Sequence, residues 1–84
     1  MDKPLIVVNF KTYETAMGDS ALTLAKAMDN FTDRDFRMIA VVSAFDLSSI
    51  SNSVSSVEVW SQHLDPVGKG SHTGWLEPDL ALHH

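Results

Sequence analysis

Leu5-Ile6-Val7-Val8-Asn9-Phe10 is a short, continuous run of apolar, largely β-branched residues broken by a single amide. Hydrophobicity that is unbroken over a strand's length, and not alternating, predicts a β-strand covered on both faces, as in a parallel sheet. Phe36 to Val42 (FRMIAVV) reads as a second buried strand, entered through a turn at Asp33-Arg34-Asp35, and Val57 to Ser61 (VEVWS) as a third. After the first strand, Gly18-Asp19 precedes Ala21, Leu22, Leu24, Ala25, Met28 and Phe31. That apolar stripe at three-to-four spacing predicts a helix with Asp19 or Ser20 as its N-cap. After the second, the serine-rich segment Asp46 to Ser56 sets Leu47, Ile50 and Val54 at helical spacing, which fits a short helix or a loop. Glu77-Pro78-Asp79 places a proline in a first helical turn, so a third helix is expected over Leu80 to His84. Strand and helix in repeated alternation give an α/β fold with a parallel sheet and right-handed crossovers. Three parallel strands cannot cover both faces and both edges alone, so the unit is expected to belong to a larger closed or doubly wound sheet.

Composition narrows the function. The sequence of 84 residues is 44% hydrophobic and 20% charged, with mean hydropathy −0.02, as in a soluble folded domain or a part of one. No stretch approaches the roughly 18 to 20 apolar residues that span a bilayer, which excludes a membrane protein. Met1-Asp2-Lys3-Pro4 is followed by only four apolar residues before Asn9, too few for a secretory signal, and reads as a native cytoplasmic start. The absence of cysteine removes disulfides and thiolate metal sites. Six Lys and Arg against eleven Asp and Glu give a formal charge of −5, which argues against nucleic acid and anionic membrane as partners. A phosphorylated metabolite remains compatible, because one well-placed lysine can hold it inside an acidic protein.

Asn9 and Lys11 flank Phe10 at the C-terminal end of the first strand, so strand alternation sends both side chains to one side of the sheet. In parallel α/β folds ligands sit at the carboxyl ends of the strands, and an amide beside an ammonium suits a small anion. A lysine that is merely solvated is the competing reading. Gly68-Lys69-Gly70 is not a Walker A loop, since the lysine lies between glycines with no Ser or Thr after it in the required place, and a flexible loop is the plainer interpretation. The stretch from Gln62 to Gly74, with its glycines and Pro66, is long enough to be a functional loop. His63, His72, His83 and His84 include no pair at the helical spacing of a zinc motif, so no metal is expected. His83-His84 reads equally as native helix or as the start of a purification tag. Asn30-Phe31-Thr32 matches a glycosylation pattern that has no meaning without a signal peptide.

Two of these stretches carry a family resemblance. Val7-Val8-Asn9-Phe10-Lys11-Thr12-Tyr13 resembles the N-terminal motif of the triosephosphate isomerase family. Gln62-His63-Leu64-Asp65-Pro66-Val67-Gly68-Lys69-Gly70-Ser71-His72-Thr73-Gly74 closely resembles the third strand-to-helix loop of that family's archaeal branch. The motifs stand in the right order, and the resemblance spans essentially the whole sequence. It implies the N-terminal β-α-β-α-β-α portion of a parallel (β/α)8 TIM barrel, with residues 1–84 as the first part of one barrel domain of about 250 residues. It also implies an isomerase of glycolysis and gluconeogenesis that interconverts dihydroxyacetone phosphate and D-glyceraldehyde 3-phosphate by proton transfer, with no cofactor. Lys11 would then be catalytic, its ammonium neutralising the substrate phosphate and the developing enediolate oxygen, and Asn9 would bind substrate with it. Gly70, Ser71, His72, Thr73 and Gly74 would form the interdigitating loop of a homodimer or homotetramer, with Thr73 reaching the region around the neighbouring subunit's Asn and Lys. Trp75 departs from the Glu or His that usually follows that Thr-Gly pair. The family's catalytic histidine lies on the fourth strand and its glutamate base on the sixth, so these residues alone are expected to be inactive. A second reading is a noncatalytic partial-barrel piece that completes a sheet with another chain.

Overall fold

The computed structural model describes residues 4–31 and 36–83. The turn expected at Asp33-Arg34-Asp35, together with Thr32 and His84, lies outside the described residues. Three strands, β1 (Leu5–Asn9), β2 (Arg37–Val42) and β3 (Glu58–Ser61), alternate with helices α1 (Asp19–Asp29), α2 (Leu47–Ser51) and α3 (Pro78–Ala81). The sheet is parallel in the order β1-β2-β3, with Leu5 opposite Arg37 through Asn9 opposite Val41, and Ile39 opposite Glu58 through Val42 opposite Ser61. This register brings the C-terminal ends of all three strands to one rim.

Alternation along the strands sorts the side chains into two faces. Val8, Met38, Ala40, Val42 and Val59 pack with Ala21, Ala25 and Met28 of α1 and with Leu47 and Ile50 of α2, forming the helix-side core. The opposite face carries Leu5, Val7, Ile39 and Trp60. Ile39 in the central strand is buried, but Leu5, Val7 and Trp60 stay 49%, 50% and 47% exposed. Among the described residues helices cover one side only and β1 has a single neighbour, so one face of the first strand is open, as expected of three strands that belong to a larger sheet.

Other boundaries shift for local reasons. β1 stops at Asn9, so Phe10 is not a strand residue; it is buried in the helix-side core while its N–H donates to the Val41 carbonyl at 2.9 Å. A short 3₁₀ turn, Glu14–Ala16, precedes α1. Neither Asp19 nor Ser20 caps that helix. Gly18 does, at φ +56° and ψ −127°, a conformation that side-chain-bearing residues rarely adopt, and its N–H donates to Asp46 Oδ2 at 3.2 Å. α1 ends at Asp29, before Phe31, which is exposed. The Asp46 to Ser56 segment resolves into a single helical turn, α2, followed by irregular chain. α3 begins at Pro78 and not at Leu80, because Glu77 serves as its N-cap: the carboxylate accepts the Leu80 N–H at 2.8 Å.

Asp29 occupies a place where helix electrostatics alone disfavour a carboxylate, the last turn of α1. Its role is to receive the entry to β3. The N–H groups of Ser55, Ser56 and Val57 donate to it at 3.1, 2.6 and 2.8 Å, and the Ser55 hydroxyl adds a bond at 3.3 Å. Desolvation pushes this carboxyl up, but the donors from Val57, Ser56 and Ser55 outweigh it and hold the group below its ordinary value. A depressed folded-state value means that the stabilisation is fully present above about pH 4, the unfolded carboxyl range, and is lost as pH falls through the folded value. Asp29→Ala is expected to lower the stability of the complete protein by about 1.5–3 kcal/mol at neutral pH, the range for hydrogen bonds to a charged group. The difference should shrink as pH falls through the lowered folded-state value of the carboxyl. Urea unfolding at stepped pH checks both.

Candidate active site

The chain leaves β1 under unusual constraint. Lys11, with φ +57°, is the one non-glycine residue with positive φ among those described. For an L-residue this conformation costs about 1–2 kcal/mol, so its surroundings must over-determine it. The constraint comes from two side-chain amides. Asn9 Oδ1 accepts the Lys11 N–H at 2.9 Å, and Gln62 Nε2, just past β3, donates to the Lys11 carbonyl at 3.0 Å. Gln62 also donates to the Val41 carbonyl at 3.4 Å, and its own N–H donates to Val42 O at 2.9 Å. Phe10, anchored in the core, fixes the residue between Asn9 and Lys11. One lysine is thus held directly from the ends of β1 and β3, while the Val41 carbonyl of β2 braces its neighbours Phe10 and Gln62.

Asn9 and Lys11 do come together, lining an open depression with Thr12, Tyr13 and Gln62. Strand alternation is not the cause, since the strand has ended and the chain turns at Lys11. Gln62 was legible only as the first residue of a loop; its part in the site depends on the distance between strand ends, which no local pattern encodes.

The electrostatics distinguish the cations. Among the described residues no carboxylate pairs with the Lys11 ammonium, whereas Arg37 is paired with Glu58 and Lys69 with Asp79, the latter at 2.9 Å. The hydrogen bond and charge of Asp79, with a smaller contribution from Glu77, raise the Lys69 pKa above its ordinary value. Gly68-Lys69-Gly70 therefore directs its ammonium at a carboxylate and cradles no anion. The depression offers an unpaired ammonium, an amide and the side chains of Thr12 and Tyr13, a set that binds negative charge. It has no carboxylate or imidazole among its lining residues, so it cannot itself take a proton from carbon. A separate cleft between Leu47, Leu64, Trp75 and Leu80 is mostly apolar, with Ser61 and Glu77 also in its lining, and has no cation.

Past Gln62 the chain stays irregular up to α3, and Gly68 to Trp75 are all exposed. The tip is ordered by its own contacts. His72 Nδ1 lies 2.9 Å from the Gly68 carbonyl, the Trp75 N–H donates to His72 O at 3.0 Å, and the two rings lie 5.8 Å apart. Gly70, Ser71, His72, Thr73 and Gly74 are all exposed, and none of them lines the Lys11 depression of their own chain.

Residues 4–83 match the family described as Triosephosphate isomerase. The chain is 40% identical to the triosephosphate isomerase of Methanothermus fervidus over 75 residues, 88% of this chain and 33% of that protein. It is 40% identical to that of Archaeoglobus fulgidus over 77 residues, covering 90% and 34% of the two chains, and 37% identical to that of Metallosphaera sedula over 81 residues, covering 95% and 35%. The chain spans about a third of the length of the curated relatives it matches. Its parallel strands alternating with helices are those of the N-terminal part of a (β/α)8 barrel. Matched along nearly its whole length, the chain belongs to the triosephosphate isomerase family.

Proposed function

We propose that residues 1–84 form the N-terminal part of a single barrel domain in a cytoplasmic triosephosphate isomerase, a glycolytic and gluconeogenic enzyme that works without a cofactor. One observation carries the assignment: Lys11 is locked at φ +57° by Asn9 and Gln62 and leaves its ammonium unpaired in an open depression at the strand ends. A preorganised cation needs no reorganisation when negative charge appears, which is the requirement for stabilising an enediolate. Lys11 would neutralise the substrate phosphate and that developing oxygen. Asn9 would hold the Lys11 backbone and help orient the substrate. The proton is moved by the family's known glutamate and histidine on later strands of the barrel. The test is turnover of dihydroxyacetone phosphate by the complete protein after exhaustive chelation. No turnover overturns the assignment.

The partner is a second copy of the chain, in a homodimer or homotetramer assembled through the 62–74 loop. Its support is the exposed tip, where every residue from Gly68 to Trp75 is open to solvent. Deleting residues 69–73 from the complete protein is expected to give weakly active monomers by sedimentation velocity, and an unchanged oligomer would refute the interface. The open sheet face of Leu5, Val7 and Trp60 favours a second reading, a noncatalytic partial barrel that completes a sheet with another chain. The turnover assay separates the two.

A further inference from the structure

The projecting loop is closed at its base by one carboxylate. The Asp65 N–H donates to the Leu76 carbonyl at 2.8 Å, and the Leu76 N–H donates back to Asp65 Oδ2 at 2.6 Å. This reciprocal pair pins together the two ends of segment 66–75, the geometry of an Ω-loop. The other carboxylate oxygen, Oδ1, lies 2.9 Å from His63 Nε2. His63 is tied to the end of β3, because its carbonyl accepts the Ser61 hydroxyl at 2.8 Å. The Asp65 carbonyl also accepts the Val67 N–H at 2.8 Å, setting the first turn of the loop. One side chain therefore binds the exit of the loop with one oxygen and the exit of the sheet with the other.

We infer that Asp65 is a positioning residue for subunit association, holding the 66–75 loop in the shape that a second copy of this chain receives. This rests on the interface assigned to the loop under the proposed function. Gly68 to Trp75 are exposed, so no hydrophobic core fixes the tip. Its shape depends on the Asp65 neck, on the contacts of His72 with Gly68, Gly70 and Trp75 inside the tip, and on the Lys69–Asp79 pair. The last of these is a solvent-exposed ion pair, which contributes little order. A loop ordered before binding loses less conformational freedom on association, so the neck acts on affinity. The Leu76 N–H and, after it, His63 hold the Asp65 carboxyl below its ordinary range, which keeps it an acceptor throughout neutral pH. A second copy is the fitting occupant because the tip from Gly70 to Gly74 carries small and polar groups and no carboxylate or ammonium. Beside the place that the proposed function gives the substrate at Lys11, the amides of Asn9 and Gln62 and the hydroxyls of Thr12 and Tyr13 offer partners on the same chain. A protrusion and a recess on one molecule allow reciprocal, isologous contact.

The experiment uses the complete protein and measures its subunit dissociation constant by sedimentation equilibrium. Asp65→Ala is expected to raise that constant about 10- to 100-fold, while the melting temperature at saturating protein falls by less than about 5 °C. Asp65→Asn keeps an acceptor for the Leu76 N–H and should stay within about three-fold of wild type, a rescue that separates loop closure from general destabilisation. Asp65→Ser, too short to reach Leu76, gives the same test should the alanine variant not fold. A tip variant, Thr73→Arg, serves as reference. If it leaves the oligomer intact, the loop is not the interface and the underlying reading fails. If it dissociates the oligomer while Asp65→Ala and Asp65→Ser do not, the role of Asp65 is overturned and the interface stands.

Discussion

Lys11→Met in the complete protein is expected to lower kcat/KM for triose phosphate by at least about 100- to 1,000-fold, the range for removing one preorganised charge-stabilising group. The loss should appear in both constants. In the proposed role the ammonium would meet the phosphate in the ground state, raising KM on its loss, and the enediolate oxygen only as charge develops there, lowering kcat. Stability should hardly change, within about 0.5 kcal/mol, because the substitution breaks no ion pair and methionine bears the same positive-φ cost as lysine. Lys26→Met, on the exposed surface of α1, is the control and should leave turnover unaltered. Steady-state kinetics with thermal melts decide it. A Lys11→Met enzyme with wild-type kcat/KM would remove Lys11 from the chemistry.

The contrast between what the sequence reveals and what it conceals follows the range of each interaction. β2 and β3 were legible to within a residue because apolar runs such as Met38 to Val42 are local signals, and the stripe from Ala21 to Met28 marked α1 for the same reason. The Gly18 cap was not legible, since Asp46, which receives its N–H, lies 28 residues away. The apolar run of the first strand records what a strand can bury, and the exposure of Leu5 and Val7 marks the face on which the rest of a larger sheet would stand. Asn9 and Lys11 were singled out from their place at a strand end, and both line one depression. The left-handed backbone of Lys11 and the amide that ties its carbonyl were hidden, because Gln62 lies 51 residues further on. The loop tip from Gly70 to Gly74 was legible through its glycines and its family likeness. Asp65 passed as one more loop residue, and only its pairing with Leu76 distinguishes it.

A chain of these 84 residues alone is expected to be inactive and to self-associate rather than persist as a cooperatively folded monomer. Inactivity follows from the site: in the proposed role Lys11 would stabilise an enediolate, but no carboxylate or imidazole lines its depression to form one. Self-association follows from the sheet. Its two edge strands, β1 and β3, each present unpaired backbone groups, and an open edge recruits another strand. The face bearing Leu5, Val7 and Trp60 adds a contiguous apolar surface, each residue about half exposed, on the side that no helix covers. Against this stands a small core whose largest fully buried side chains are Phe10, Ile39, Ile50 and Val42. At about 1.5–3 kcal/mol for each large apolar side chain buried, it offsets little of the ordering entropy of the chain. Circular dichroism should show partial helicity without a sharp melt, and sedimentation velocity should show oligomers that grow with concentration. A monomer with a cooperative transition would show that the helix-side core alone suffices. Isomerase turnover by that monomer would require a base among residues to which this structure gives no such role.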